Sequence, residues 1–315
     1  MSQSKDSFVT RAGEYMVNMV LRGLIGAAQL TPYRFRIPAM GWITAHVIAP
    51  LAGYSRRVRE NLELVLPDLP QSEVRALMRS VPDNAGRGII ELYSSREFIE
   101  RARHSPLIGP GLTAMHAARA EGRPIIIVTG HFGSFNAGRM ALIENGFKMG
   151  SFYRPLKNRY FNPHYAQAMG ALSEPLFAQS KRGMVQMVKH LKGGGVVAIL
   201  NDLNAHDGVP LQFFGKPALT SLVTAEMALR CNALLVPCWG LRRENGLDFE
   251  TIVENPIEHS DPVTMTQDFN DRLEVMVRKH MDQWFWVHRR WKDGTGGMAD
   301  RGAARVAAMQ DRSSD

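Results

Sequence analysis

Ile125-Ile-Ile-Val128 is four β-branched residues in a row, so both faces of a strand built from them are apolar. Such a run suits a strand buried on both sides, as in a parallel sheet covered by helices. The residues that follow extend this expectation. Thr129-Gly-His-Phe-Gly-Ser-Phe-Asn136 supplies a glycine-bearing turn, and Ala137, Met140, Ala141 and Leu142 give it a helical continuation. Strand–turn–helix units are where α/β proteins present reactive side chains, in the crevice outside the strand's C-terminal end. His131 stands at that point, beside backbone N–H groups that favour developing negative charge. Gly130 and Gly133 let a ligand approach the main chain there. Imidazole is also the side chain best suited to taking a proton from an alcohol or amine near neutral pH.

The alternation continues along the chain. Strands are expected at 124–129, 147–153, 175–178, 196–200, 233–239 and 248–253, with helices at 136–144, 183–191 and 220–230 and a helix or loop over 158–171. Upstream, Tyr54 to Leu66 reads as a basic helix closed by Pro67, followed by a helix from Ser72 toward Leu92 and an Ala-rich helix at 112–120. Asp261-Pro262 caps a long amphipathic helix expected to run through Trp284. The fold class is therefore α/β, a mostly parallel central sheet flanked by helices. Its core domain is expected over 54–292, behind an N-terminal helical segment (1–53) and before a loose tail (293–315).

A net charge of +8 favours anionic partners: lipid headgroups, an acidic carrier protein, a nucleotide or nucleic acid. Nucleic acid is the weakest of these, since no zinc spacing, RNA-binding signature or basic recognition helix is present. Cys231 and Cys238 make no metal motif and read as buried free thiols of a reducing compartment. The polar first ten residues give no cleavable signal peptide. Two apolar stretches, 16–30 and 38–53, fall short of the ~20 uninterrupted apolar residues of a spanning helix. With Arg11, Arg22, Arg34 and Arg36 around them, they suit attachment to the surface of an anionic cytoplasmic leaflet, or else are ordinary core helices.

Six segments in order resemble the lysophospholipid acyltransferase-like superfamily, and within it the bacterial lauroyl/myristoyl-type acyltransferases of lipid A synthesis. They are Arg59-Glu-Asn-Leu-Glu-Leu-Val-Leu-Pro67, Thr129 to Asn136, Tyr153-Arg-Pro-Leu-Lys-Asn158, Leu191 to Asp202, Phe213-Phe-Gly-Lys-Pro-Ala-Leu-Thr220 and Trp286-Val-His-Arg-Arg-Trp-Lys292. The resemblance spans roughly residues 15 to 292. It implies transfer of a fatty acyl group from an acyl carrier protein or coenzyme A thioester onto a lipid hydroxyl at a membrane surface, with no metal or redox cofactor.

The resemblance assigns His131 as general base and position 136 as the carboxylate that orients it. Here position 136 is Asn, whose amide oxygen accepts a hydrogen bond but carries no charge. Three readings stay open. Asp202, at a neighbouring strand end, supplies the charge; or the acceptor is easier and His131 acts unaided; or the chain is a non-catalytic lipid binder on the same scaffold. Gly133 and Ser134 in the turn are expected to contact substrate. Arg154 and Lys157, after a strand, are expected to hold a phosphate or carboxylate. Phe213 and Phe214 read either as a wall of the acyl channel or as core, and Arg242 either as a contact to an anionic donor or as a solvated charge. Trp284, Trp286 and Trp291 with Arg289, Arg290 and Lys292 suit an interface anchor or a packed C-terminal helix. No arginine occurs in Ala166-Gln-Ala-Met-Gly-Ala171, where the family often has one. The acceptor is thus expected to be a lyso-aminolipid bearing a free 3-hydroxyacyl group, or a lipid A precursor.

Overall fold

A computed structural model describes residues 8–292 of the chain. The expected tail, 293–315, lies outside them. The chain opens with α1 (Phe8–Gln29), α2 (Tyr33–Ile43), a π-helical turn (Thr44–Ile48), α3 (Ala49–Leu51), α4 (Tyr54–Val65), α5 (Gln71–Tyr93) and α6 (Ser95–Arg103). The alternating part then runs β1 (Leu107–Ile108), α7 (Leu112–Ala120), β2 (Ile125–Thr129), α8 (Phe135–Glu144), β3 (Met149–Tyr153), α9 (Asn162–Leu172), β4 (Leu176–Ala178), α10 (Lys181–Lys192) and β5 (Val196–Leu200). It finishes with β6 (Val209–Phe213), β7 (Lys216–Thr220), α11 (Val223–Cys231), β8 (Leu234–Arg242), β9 (Phe249–Val253) and α12 (Pro262–Lys279).

Seven strands form one sheet in the order β1-β9-β8-β2-β5-β3-β4, parallel throughout except where β9 runs against β8. The Ile125–Val128 run is central and entirely buried, as its composition requires. Its side chains divide between the faces: Ile126 and Val128 pack with α4, α5, α11 and α12, whereas Ile125 and Ile127 pack with α7 and α8. Each such side chain contributes on the order of 1.5–3 kcal/mol by leaving water.

The chain leaves β2 toward β3 on one side and leaves β5 toward β8 on the other. The crevice outside the C-terminal ends of β2 and β5 is therefore a topological switch point, the place where open α/β sheets bind ligands. Register makes the crevice definite: Thr129 pairs with Leu200, and the Asn201 N–H donates to the Thr129 carbonyl at 2.9 Å. His131 and Asp202 each follow two residues after that pair.

Three expectations need correction. Residues 209–220 form a β-hairpin, so Thr220 closes a strand and the helix begins only at Val223. Phe214 and Gly215 both have positive φ in its two-residue turn, 53° and 66°. α12 starts as expected, with Asp261 Oδ1 accepting from the N–H groups of Val263 and Thr264, but it stops at Lys279. Trp284 instead forms an antiparallel bridge with Phe132. Finally, Trp284, Trp286 and Trp291 are buried, not an interface anchor; they pack edge-on and stacked with Phe213 and Phe214.

Candidate active site

His131 is held from below by Asp202. The imidazole Nδ1 lies 2.8 Å from Asp202 Oδ1, and the His131 backbone N–H donates to Oδ2 at 2.7 Å. Trp284 Nε1–H donates to the same Oδ2 at 2.9 Å. Asp202 is fully buried, while 29% of the His131 side chain remains exposed. Burial alone would raise the Asp202 pKa; the adjacent His131, through charge and hydrogen bonds, with His288 adding to it, outweighs burial and holds the carboxyl well below its ordinary range. The carboxylate is thus ionised and its Oδ1 is committed to Nδ1, which leaves Nε2 as the nitrogen available to a ligand.

This close approach depends on glycine. A Cβ at Gly130 would sit 2.9 Å from Asp202 Oδ2, and one at Gly133, where φ is +53°, would lie 2.1 Å from the Gly240 carbonyl oxygen. The turn is then zipped to the segment after α12. Gly133 N–H donates to the Gln283 carbonyl at 2.7 Å, and Phe285 N–H donates to the His131 carbonyl at 2.9 Å. Ser134, buried, donates its N–H to the Gly240 carbonyl at 2.7 Å. The N–H groups of His131, Gly133 and Ser134 are therefore all occupied by protein acceptors. These three N–H groups are therefore not free to bind an anion.

His288 is a site residue that the sequence reading noted only as part of a motif. Its ring meets the His131 ring edge-on, with centroids 4.6 Å apart. Asn61 of α4 fixes it there by donating Nδ2–H to the carbonyls of Trp286 (2.6 Å) and His288 (2.8 Å). Burial, then the neighbouring His131 charge, pulls the His288 pKa down to about 4 against the opposing pull of Asp202. His288 is consequently neutral at pH 7, and its buried Nε2 has no protein partner.

Asn136 makes no hydrogen bond to the imidazole: it lines a cavity of about 40 Å³ between α8 and the sheet, and its Oδ1 is buried without a partner. The carboxylate that meets the imidazole is thus Asp202 and not position 136. The cavity walls are mainly apolar, with Thr129, Arg139 and Ser151 joining Asn136 as polar members.

The other expected residues fall into two groups. Arg154 and Lys157 are exposed beyond the C-terminal end of β3, on the crevice side of the sheet. Phe213 and Phe214 belong to the core and do not line a channel. Arg242 is no donor contact either: it is buried, and its two terminal nitrogens grip the Glu91 carboxylate at 2.5 and 2.8 Å. No group of metal-binding side chains occurs among the described residues.

Residues 3–293 match the family model described as bacterial lipid A biosynthesis acyltransferase. The chain is 27% identical over 255 residues to the lipid A biosynthesis lauroyltransferase of Escherichia coli K12, covering 78% of this chain and 81% of that protein. It is 24% identical over 270 residues to the phosphatidylinositol mannoside acyltransferase of Mycobacterium tuberculosis H37Rv, covering 82% of each. A lipid A biosynthesis acyltransferase of Haemophilus influenzae is 23% identical over 262 residues, covering 80% of this chain and 81% of that protein.

Proposed function

Because this chain belongs to the bacterial lipid A biosynthesis acyltransferase family and is an acyltransferase, we propose that His131 is the general base for transfer of an acyl group from a thioester to a lipid hydroxyl. The observation that carries this reading is the His131–Asp202 pair, with Nδ1 bound at 2.8 Å and the ring open to the crevice. Nε2 takes the proton of the acceptor hydroxyl as its oxygen attacks the thioester carbonyl. The buried Asp202 carboxylate stabilises the imidazolium that forms. Collapse of the tetrahedral intermediate breaks the C–S bond, and the departing thiolate recovers the proton from Nε2. Arg154, exposed at the crevice rim, is the first candidate to meet the oxyanion or a phosphate of either substrate. No step calls for a metal or redox cofactor.

The acceptor is a membrane lipid. Relatives named for lipid A and for a phosphatidylinositol mannoside support a glycolipid hydroxyl. Asp202 supplies the carboxylate that Asn136 lacks, so the substitution at 136 no longer argues for an unusual acceptor. A lyso-aminolipid is kept as the second reading because 166–171, in α9, carries no arginine to hold a larger anionic headgroup. The basic surface suits acyl carrier protein or coenzyme A as the donor's carrier.

No described helix is long and apolar enough to cross a membrane. Attachment to the surface of the inner membrane's cytoplasmic leaflet is supported by the apolar residues that α1, α2 and the π-helical turn expose. Met16, Val20, Leu24, Phe35, Trp42 and Val47 are each 45–64% accessible, with Arg11, Arg22 and Arg34 exposed among them. The deciding experiment is lipid mass spectrometry of a deletion strain complemented with wild type or His131→Ala. Loss of one acyl chain from a glycolipid, or accumulation of a lyso-aminolipid, identifies the acceptor. A lipid profile fully restored by His131→Ala refutes the general-base role and favours a lipid binder on the same scaffold.

A further inference from the structure

We infer that Gln283 is a positioning residue for acyl transfer: its side chain docks the segment after α12 on the end of β8, and that segment sets the His131 imidazole. The inference deepens the acyl-transfer reading and rests on it.

Between Lys279, where α12 stops, and Phe285 the chain forms neither helix nor strand. Three of its groups nevertheless reach the site. The Gln283 carbonyl accepts from the Gly133 N–H at 2.7 Å, and the Phe285 N–H donates to the His131 carbonyl at 2.9 Å. Trp284 Nε1–H donates to Asp202 Oδ2 at 2.9 Å. His131 and its carboxylate thus take their places from a stretch that must itself be located against the sheet.

Gln283 locates it. Its Nε2–H donates to the Arg242 carbonyl and its Oε1 accepts from the Arg242 N–H, both at 2.9 Å. One amide side chain therefore satisfies both main-chain groups of the last residue of β8, as a neighbouring strand would. Arg242 is a fixed base for this contact. Its guanidinium binds Glu91 through both terminal nitrogens and Asn84 Oδ1 through Nε at 2.8 Å. The fit is close on the turn side as well, since a Cβ at Gly133 would lie 2.9 Å from Gln283 Oε1. The residue whose side chain is pinned to β8 is thus the one whose carbonyl pins Gly133, and the two residues after it bond Asp202 and His131. The hydrogen bonds of Gln283 run to main chain and not to the imidazole. It acts on the reaction only through the position of the ring.

The test is Gln283→Met, close in reach and without the amide, assayed as the full chain with thioester and lipid acceptor well below its melting temperature. The expected result is a fall of about 10- to 100-fold in kcat, carried equally into kcat/KM, the scale set by misplacing a reacting group by up to about 1 Å. The downfield proton resonance of the His131 Nδ1–H held by Asp202 should weaken or vanish with it. Gln267→Met is the control. Gln267 of α12 holds the Gln212 N–H and carbonyl in the same two-bond manner, at 2.9 and 3.0 Å, on β6 and not on the turn. That variant should keep both kcat and the resonance. Gln283→Glu keeps the acceptor for the Arg242 N–H but sets a second oxygen against the Arg242 carbonyl. It should lower both readouts too, and it decides the matter should Gln283→Met fail to fold. Unchanged kcat and resonance in the Gln283 variants, or an equal loss in Gln267→Met, overturns the inference. A wild-type protein that transfers no acyl group refutes the acyl-transfer reading, and the resonance alone then decides whether Gln283 holds the ring.

Discussion

Asp202→Asn separates the electrostatic from the structural role of the buried carboxylate. Oδ2 accepts two N–H groups, from His131 at 2.7 Å and Trp284 at 2.9 Å, whereas Oδ1 faces only His131 Nδ1 at 2.8 Å. An amide has one accepting oxygen. Placing its NH₂ at the Oδ2 position opposes two donors; placing it at the Oδ1 position opposes one, which the imidazole relieves by changing tautomer. The second arrangement wins. Nδ1 then accepts from the amide, the ring proton moves to Nε2, and the nitrogen facing the crevice can no longer take a proton. The same tautomer error in a serine-protease triad costs about 10⁴ in kcat, which corresponds to about 5.5 kcal/mol of barrier. The expected result is a loss of about 10³- to 10⁴-fold in acyl-transfer turnover with little change in thermal stability, because no buried N–H is stranded. Turnover measured by mass spectrometry of the acylated lipid, with nitrogen NMR of the ring, checks both halves. Retention of turnover within about ten-fold of wild type, or an imidazole still protonated at Nδ1, would refute the reasoning.

Acid stability follows from His288, whose folded pKa of about 4 lies below its ordinary 6.5. The unfolded chain binds the proton first, so stability falls as pH drops from 6.5 toward 4, by about 3 kcal/mol. His288→Phe should lose visibly less melting temperature over that interval; identical losses would discard the assignment. Breaking the buried pair with Arg242→Met should cost about 3–5 kcal/mol, because Glu91 is left charged and unpaired, and Glu91→Leu in the same chain should restore most of it. Denaturant titration of the three variants measures this, and a mild single variant contradicts it. Gly133→Ala drives a methyl group into the Gly240 carbonyl and should abolish activity or folding, whereas Gly215→Ala, which meets open space, should cost only about 1 kcal/mol for its positive φ. Equal melting temperatures for the two variants would count against the clash.

The central strand was legible because Ile125–Val128 admits few other fates, and the strand-end rule led from it to His131 and, across the sheet, to Asp202. What joins those two is register between strands 71 residues apart in sequence, which no local pattern encodes. The hairpin at 209–220 escaped notice because Pro210 and Pro217 interrupt the strand signal in both of its arms. Trp284, Trp286 and Trp291 beside basic residues look the same in sequence whether they face lipid or core. Only the hairpin packing over them decides, and it places them inside. Arg242 was ambiguous for a similar reason, since its partner Glu91 sits on a helix far upstream. Arg139 carried no sequence signal, as an arginine on an amphipathic helix ordinarily faces water.

The bridge between Phe132 and Trp284, with Phe285 bound to the histidine's own carbonyl, has a consequence for synthesis. Translation delivers the amino-terminal helices long before residues 283–291 leave the ribosome. A nascent chain that ends short of them therefore lacks the late-made segment that buckles its imidazole turn into place.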